Sequence, residues 1–280
     1  MLNDTINSVL AGEQVPTEIV VVDQSDLACL DFHKGFPHSD CIIRCIPTNT
    51  RGLSRARNVG IAAATHDVLV FADDDMFAAS TWFGTLVGAL VAAGSGVTVT
   101  GRVLPGAEER ARGWVPSTVI SEQPAEYRGR IDTDVLAGGH MAIYRRLLVE
   151  MGCFDERLGG GSAFPAAEDN DLGYRLLKAG YGIVYVPEAV LYHRAWRPAH
   201  DYLGVRWSYG KGKAGYYCKH IGDGDWSMLR RMAYDVGRRL VSFPNRALNE
   251  RRRALGDLSY IAGMMFGTCL WVGTQRGRHP

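Results

Sequence analysis

The chain has 280 residues, a length that suits one large domain or one domain with an appendage. Apolar residues make up 46% and charged residues 22%, which excludes wholesale disorder and fibrous repeats, and a domain of this size is stable without disulfide or metal staples. The net charge of +1 conceals an asymmetry, because residues 1–200 carry a balance of −7 and residues 201–280 a balance of +8. We therefore predict two parts with different functions, 1–200 and 201–280.

The cysteines form no CxxC pair and no metal-ligand spacing; they are Cys29, Cys41, Cys45, Cys153, Cys218 and Cys269. The N-terminus does not resemble a signal sequence, because Asp4 interrupts it and no long apolar run follows. We therefore expect reduced, buried thiols in a cytoplasmic protein.

Short apolar runs alternate with helical patterns through the first 200 residues. The predicted strands are Glu18–Val22, Cys41–Ile46, Val68–Ala72, Val97–Gly101, His140–Tyr144 and Ile183–Val186. The predicted helices are Asn3–Ala11, Leu53–Ala64, Thr81–Ala93, Arg145–Met151 and Asp169–Ala179. Unbroken apolar runs are typical of strands buried on both faces, so we expect an α/β fold with a mostly parallel, Rossmann-like sheet flanked by helices. Such sheets bind ligands at the carboxyl ends of their strands.

From about Tyr202 onward only helices are predicted, over Tyr202–His220, Trp226–Ser242 and Leu248–Thr274. The stretch Met228–Arg253 holds eight arginines against two acids. The following apolar run, Leu258–Gly273, has 16 residues, fewer than the roughly 20 that cross a membrane. Two interpretations stay open for this basic, amphipathic extension: a helical cap packed on the rest of the protein or on a second subunit of a homodimer, and a peripheral contact with a membrane. Without a recognition motif beside the arginines, no nucleic-acid partner is expected.

The triplet Asp73–Asp75 directly follows the predicted strand Val68–Ala72. Three adjacent carboxylates repel one another unless a cation or ligand compensates them. Hard oxygen ligands suit Mg²⁺ or Mn²⁺ held together with substrate phosphates. The alternative is a solvated acidic turn before the helix that begins near Ser80.

A second acidic cluster, Glu168–Asp171, follows the glycine-rich loop Gly159–Ser162 and opens a predicted helix. Carboxylates at a helix N-terminus are stabilised by the free N–H groups, so simple capping is one explanation. The other is a general base on a mobile loop, able to take a proton from a hydroxyl nucleophile.

Further polar residues could complete such a site. His193 follows a second extended run and could give a metal one imidazole ligand, or it could be an ordinary structural histidine. Arg51 and the cluster Arg55, Arg57 and Asn58 bring positive charge that suits a diphosphate, or else form an ordinary basic helix face.

Six sequence blocks follow one another along residues 1–195: EIVVVDQS from Glu18, RGLSRARNVGIAA from Arg51, VLVFADDD from Val68, GGHMAIYRRLLVEMGCFD from Gly138, EDNDLGYRLLKAG from Glu168 and VPEAVLYH from Val186. In these blocks and in their order the chain resembles glycosyltransferase family 2 and its GT-A fold. The order of the blocks is far more specific than any one of them.

The resemblance implies roles at matching positions. It implies a nucleotide-diphosphate sugar donor and Mg²⁺ or Mn²⁺, with Asp73 and Asp75 as the DXD motif. Asp73, Asp75 and His193 are the implied metal ligands, with Asp75 as the main metal-binding position and Asp73 nearer the ribose. The other donor-binding positions that it implies are Asp23, Arg51, Arg57, Asn58 and Asp74. Gly138, Gly139 and His140 match the place where donor sugar and acceptor meet.

The resemblance also implies an inverting single displacement. Asp169 is the expected catalytic base, with Glu168 as its neighbour and helper. The acceptor is expected to be a glycan or lipid-linked, as in cell-envelope or surface-polysaccharide synthesis, with the enzyme cytoplasmic and peripheral on the inner face of the membrane. The stretch Leu104–Asp134, where an acceptor would bind, carries no recognisable chemistry.

One departure from the family concerns the N-terminus. Relatives usually open with a strand and a Pro-Thr-type turn, whereas this chain opens inside the helix Asn3–Ala11, so that strand is expected to be missing. An upstream start, a substituting segment and an N-terminally truncated, non-catalytic relative that acts as a binding or interaction module all remain open. A nucleotidyltransferase would need a glycine-rich phosphate loop with Arg or Lys near its start, which the sequence lacks.

Overall fold

The computed structural model describes residues 1–25, 36, 40–106, 113–194 and 196–276. Within it the chain divides into two compact units. The first comprises Met1–Arg51, Arg55–Phe154 and Leu172–Arg197. The second comprises Gly52–Ser54, Asp155–Asp171 and Pro198–Pro280, so it includes two stretches besides the C-terminal helices.

Eight strands and the first five helices alternate along the first part of the chain. The strands are β1 (Glu18–Asp23), β2 (Ile42–Pro47), β3 (Val68–Ala72), β4 (Met76–Ala78), β5 (Val97–Pro105), β6 (Ala125–Arg128), β7 (His140–Tyr144) and β8 (Gly182–His193). The helices are α1 (Leu2–Leu10), α2 (Leu53–Ala63), α3 (Trp82–Ala93), α4 (Arg145–Glu150) and α5 (Glu168–Lys178). All six predicted strands are present, and the short strands β4 and β6 are additions that the sequence patterns did not indicate.

The strands form two sheets. Strands β1 and β2 pair in parallel, and among the described strands β1 has no other partner. The larger sheet has the order β3-β7-β5-β8-β4, with β6 also paired to β8. Among its described pairs, β5 with β8 is the one parallel pair.

The predicted α/β class is therefore confirmed, but the prediction of a mostly parallel sheet is wrong. An unbroken apolar run reports burial on both faces, and burial does not fix strand direction. Strand β7 illustrates this, because it runs antiparallel between β3 and β5 while Met141 and Ile143 join one core cluster and Ala142 joins another. Alternate residues of one strand thus fill two cores.

Helix α1 supports the acidic loop that follows β3. The Thr5 hydroxyl donates to the carbonyl oxygens of Asp74, at 2.9 Å, and Met76, at 2.6 Å. The Ser8 hydroxyl oxygen accepts from the backbone N–H of Ala78 at 2.9 Å. These contacts hold the short strand β4, which leads out of the acidic triplet.

The second unit contains α6 (Tyr202–Gly222), α7 (Ser227–Asn249) and α8 (Arg251–Arg276). The predicted C-terminal helices are all present, but α7 continues through Pro244 to Asn249 instead of ending at Ser242. Glycines permit close packing of α6 on α8: a Cβ at Gly210 would collide with the carbonyl of Tyr260, and a Cβ at Gly263 with that of Trp207. The two backbones approach too closely for any side chain at these positions.

Buried charges also hold the second unit together. Asp171 is fully buried and accepts from Lys219 Nζ at 2.7 Å and from His220 Nε2 at 2.9 Å. Lys219 also reaches Asp155 at 2.9 Å, and Asp155 in turn receives two bonds from the Arg157 guanidinium. This network ties the beginning of α5 to the end of α6.

Helix α8 is long and apolar enough to cross a membrane by length and composition over Arg251–Thr274, where an 18-residue window has a mean hydropathy of 1.3. The prediction that this segment is too short is therefore wrong, because the helix extends beyond the apolar run that the sequence analysis counted. The same helix carries Asp257, which is 4% exposed and pairs with Arg206 and Arg246. These ion pairs and the glycine contacts with α6 are those of a packed helix.

The prediction of six reduced thiols is also wrong. Cys45 on β2 is disulfide-bonded, whereas Cys41, Cys153, Cys218 and Cys269 are free. Cys29 lies outside the described residues. Sequence spacing did not indicate this bond because the pairing of non-adjacent cysteines depends on tertiary approach.

Substituting Gly210 with alanine tests the close packing of α6 on α8. Gly210→Ala should lower the free energy of unfolding by about 2 kcal/mol, because its Cβ displaces the Tyr260 backbone. The matched control is Gly237→Ala on α7, where nothing lies within 4 Å of the new Cβ and a gain of up to about 1 kcal/mol in helix propensity is expected. Urea titrations of both variants measure this difference. A stabilising effect of both would contradict the packing.

Asp155 should make the protein sensitive to acid. Burial alone raises the pKa of its carboxyl, but hydrogen bonds from Arg157 and Lys219 and the charge of Lys219 more than reverse this, so its pKa lies well below the ordinary value. The unfolded chain therefore takes up a proton below about pH 4 while the folded chain does not, and the stability that Asp155 contributes is lost as the pH falls.

The test is Asp155→Asn, which should lower the free energy of unfolding at neutral pH by about 2 kcal/mol and flatten its decline below about pH 4. Urea titrations across that pH range measure both effects. The control is Asp67→Asn, at an exposed position outside this network, and it should leave the free energy of unfolding at neutral pH nearly unchanged. Identical acid profiles for Asp155→Asn and the unmodified chain would remove the network from this role.

Candidate active site

The carboxylates of Asp73–Asp75 lie in the turn between β3 and β4, at the carboxyl end of β3. Asp73 Oδ1 accepts from the guanidinium of Arg57 on α2 at 2.8 Å. That guanidinium also lies 5.1 Å from the centre of the Phe154 ring, and its side chain is 8% exposed. Gly139 passes directly over the Asp73 carboxylate, where a Cβ would collide with it. The position of Asp73 is thus fixed from two sides.

Asp75 faces His193, the last residue of β8. Asp75 Oδ1 is buried without a hydrogen-bond partner of good geometry, and it lies 3.4 Å from His193 Nε2. His193 Nδ1 lies 2.9 Å from the carbonyl oxygen of Pro116, so Nδ1 must carry the proton of that bond. In the neutral ring the Nε2 lone pair then points towards a carboxylate oxygen. These two acceptors repel each other unless a proton or a cation binds to them.

The pKa of His193 reflects this repulsion. Burial lowers it, but the hydrogen bond and the negative charge of Asp75, with the Pro116 carbonyl, outweigh burial and raise the pKa above the ordinary value. A cation bound by Asp75 Oδ1 and His193 Nε2 would remove the same repulsion as the proton does. One imidazole nitrogen and one carboxylate oxygen therefore fit Mg²⁺ or Mn²⁺ that takes its remaining ligands from phosphate and water.

Within the part of the chain that the structure describes, no three His, Cys, Asp or Glu side chains group closely enough to hold a metal on their own. Of the three predicted metal ligands, the structure thus brings Asp75 and His193 together but leaves Asp73 with Arg57. The middle residue, Asp74, has a raised pKa, first because neighbouring protein atoms partly desolvate its carboxylate and then because Asp75 and Asp73 repel its negative charge.

The predicted donor-binding residues fall into two kinds. Asp23 ends β1, where its Oδ1 accepts from the backbone N–H of Ser25 at 2.8 Å, and Arg51 donates to the carbonyl of Gln24 at 2.9 Å. Asn58 instead forms two 3.0 Å bonds with the backbone of Phe154, one as donor and one as acceptor. These bonds occupy the Asn58 amide with a structural contact.

His140 is also a structural residue. It is fully buried, and its Nε2 accepts from the indole N–H of Trp82 at 2.8 Å. Burial lowers the pKa of His140 to about 3, so the ring is neutral. Sequence reasoning could not separate it from a ligand-facing histidine, because the indole comes from a residue 58 positions away.

Glu168 and Asp169 begin α5 and belong to the second unit. Glu168 is buried, and a Cβ at Gly159 would lie 3.2 Å from its carboxylate. Asp169 is half-buried and accepts from the backbone N–H of Asn170 at 2.7 Å. The helix that carries both is held at its beginning by Asp171.

Ala167, the residue before α5, is a feature that the sequence did not indicate. Its φ is +72°, a left-handed conformation that alanine adopts at a cost of order 1–3 kcal/mol. The backbone N–H of Asp171 nevertheless donates to the Ala167 carbonyl at 3.0 Å, which begins the helix. Strain of this kind persists only where the surrounding contacts over-determine the backbone.

The curated proteins that this chain resembles include two glycosyltransferases. The chain is 26% identical over 234 residues to the glucosyl-dolichyl phosphate glucuronosyltransferase of Haloferax volcanii, which covers 79% of this chain and 72% of that protein. It is also 26% identical over 210 residues to the pre-mycofactocin glycosyltransferase of Mycobacterium tuberculosis, covering 72% of this chain. The match spans 43% of that second relative's length.

Among solved structures, a mannosyltransferase from Pyrobaculum calidifontis in complex with GDP-Man and Mn²⁺ is similar with a TM-score of 0.65 at 18% identity. The match covers 95% of this chain and 82% of that one. The predicted GT-A fold with C-terminal helices is thereby confirmed. The family model described as Glycosyl transferase family 2 matches residues 1–152, more than half of the chain. This chain is therefore a glycosyltransferase with the GT-A fold and belongs to glycosyl transferase family 2.

Proposed function

We propose that this enzyme transfers a sugar from a nucleotide-diphosphate donor to an acceptor hydroxyl, with inversion and with the help of Mg²⁺ or Mn²⁺. The observation that carries the proposal is the pair formed by Asp75 and His193, whose facing oxygen and nitrogen lie 3.4 Å apart beside the acidic triplet. The Pyrobaculum mannosyltransferase in complex with GDP-Man and Mn²⁺ supports the same chemistry by analogy.

In this proposal Asp75 and His193 hold the metal, and Asp73, Asp74, Arg51 and Arg57 lie around the donor. The metal, when bound, offsets the negative charge of the departing diphosphate. Arg57 keeps Asp73 in one orientation through their 2.8 Å bond, which leaves the other carboxylate oxygen for the donor ribose. Asp23 contacts the nucleotide base or ribose from the end of β1.

Asp169 is the proposed catalytic base, with Glu168 as its helper. Asp169 takes the proton of the acceptor hydroxyl while that oxygen bonds to the anomeric carbon and the bond from this carbon to the diphosphate breaks. Attack in line with the leaving group inverts the anomeric configuration. The anchored start of α5 and the strained Ala167 support this role, since a base must be held in a defined orientation.

We further propose that the acceptor is a glycan or a lipid-linked molecule used in envelope or surface-polysaccharide synthesis, and that the enzyme works in the cytoplasm at the inner face of a membrane, alone or as a homodimer. The support is the Haloferax relative, whose name includes a dolichyl phosphate, and the basic C-terminal helices.

Asp169→Asn tests the proposed base. Turnover should fall at least about a hundredfold, because the acceptor hydroxyl loses its proton acceptor, while donor binding stays close to that of the unmodified chain. The neighbouring Asn170→Ala is the control and should keep most of the turnover. Steady-state transfer rates and donor titrations measure the two quantities. Near-normal turnover in Asp169→Asn would remove the residue from the role of base.

Nucleotide binding with and without Mn²⁺ tests the proposed metal pair. The melting temperature should rise by about 3 °C or more with one of UDP, GDP and dTDP, and only when Mn²⁺ is present. Asp75→Asn should abolish this rise without lowering the melting temperature of the free protein, whereas the control Asp67→Asn should retain it. A nucleotide response that is equal with EDTA and with Mn²⁺ would contradict metal-dependent binding.

A further inference from the structure

Helix α7 buries charged side chains and exposes apolar ones, the reverse of what a surface helix usually does. Its inward face carries Arg231, Asp235 and Arg239, which are 6%, 7% and 7% exposed. Its outward face carries large apolar and aromatic side chains, which we call the docking face: Trp226 directly before the helix, then Leu229, Tyr234, Leu240, Val241 and Leu248. A helix on the surface of a protein in water normally has the opposite arrangement.

Each inward charged side chain has at least one polar partner, and these contacts fix the orientation of α7. Asp235 accepts from Tyr260 Oη at 2.6 Å and from Arg238 Nε at 3.0 Å, and it pairs with Arg239. Arg231 donates to Tyr216 Oη at 3.0 Å. Rotating α7 to bury its apolar face would break these bonds and leave charges unpaired in the interior. The network therefore holds the docking face outward.

The docking face is large and strongly exposed. Val241 and Leu248 are 83% and 82% exposed, and Trp226 and Tyr234 are 70% and 69% exposed. The helix has 23 residues, a length of about 35 Å, and the exposed side chains recur along most of it. An apolar surface of this extent is typical of a site that contacts another protein or a membrane.

The charges around the docking face indicate which kind of partner it contacts. Along α7, which is described throughout, the exposed positions include Arg230 and Arg238 but no acidic residue. After α7 comes the exposed Glu250, followed by the exposed arginines Arg251, Arg252 and Arg253. Arg253 pairs with Glu250 at 2.8 Å and remains 67% exposed. The face thus combines apolar side chains, Trp and Tyr with arginines, which is the composition of a helix that lies in a membrane interface.

A second copy of the chain fits this face less well. A symmetric contact through it would bring Arg230 and Arg238 of two copies close together, and the exposed positions of α7 offer no acidic residue to a partner's arginines. Anionic headgroups complement the exposed arginines of this region, and the acyl region accepts the apolar side chains.

We propose that the docking face of α7 binds the surface of an anionic lipid bilayer. The inference deepens the proposed function and rests on it for the link to a lipid-linked acceptor, because it names the face through which the enzyme would meet its membrane. The docking itself needs neither donor nor acceptor.

The test is sedimentation of the full-length protein with vesicles of phosphatidylcholine containing about 30% phosphatidylglycerol, compared with vesicles of phosphatidylcholine alone. We expect binding to the anionic vesicles at low salt, and a large decrease in binding to the neutral ones. The double variant Val241→Gln with Leu248→Gln should bind at least about tenfold more weakly, because two inserting side chains become polar.

The control changes two other exposed apolar residues, Val91→Gln with Ile120→Gln, which are 59% and 67% exposed, and should leave vesicle binding unchanged. No binding of the unmodified chain to anionic vesicles, or equal loss in both double variants, would overturn the proposal. A dimer that the α7 variant converts to a monomer, with no vesicle binding, would assign the face to a second copy and overturn it too.

Nucleotide-dependent melting of the same α7 variant separates this inference from the proposed function. Retained melting shifts with lost vesicle binding support both. Vesicle binding by a chain that responds to no nucleotide would leave the docking face in place and refute the proposed donor chemistry.

Discussion

The structure depends on the pairing of buried or closely spaced carboxylates with basic side chains. At the end of β3, Asp73 is held by Arg57, and Asp75 faces the ring of His193. These partners come from α2 and from the end of β8, far apart in sequence. Carboxylates this close would repel one another without such partners. The contacts with Arg57 and His193 therefore both hold the residues around the end of β3 together and set the chemistry of the site.

The second unit solves the same problem in a different way. Asp155 and Asp171 share Lys219, while Asp235 and Asp257 pair with arginines of α6 and α7. The buried carboxylates of this unit are thus paired with basic side chains of the same unit, and those on α7 keep the apolar side chains of its opposite face exposed.

The two chemical motifs differ in how fully a single sequence reveals them. The acidic triplet was visible because it follows an apolar strand, and Glu168–Asp169 was visible because it opens a helix. The roles of their neighbours were not visible. Asn58 bonds to the Phe154 backbone and His140 accepts from Trp82, although both residues fall in blocks that resemble the family's donor site.

The sequence by itself determined most of the elements of this protein, although not the short strands β4 and β6, because apolar periodicity and glycines act over a few residues. It also determined the acidic positions at the ends of those elements and the charge asymmetry between its two parts. Only the tertiary structure decided strand direction in the larger sheet, the disulfide at Cys45, the partners of Asp73 and Asp75 and the outward face of α7. Each of these depends on contacts between residues distant along the chain, and local patterns carry no record of such contacts.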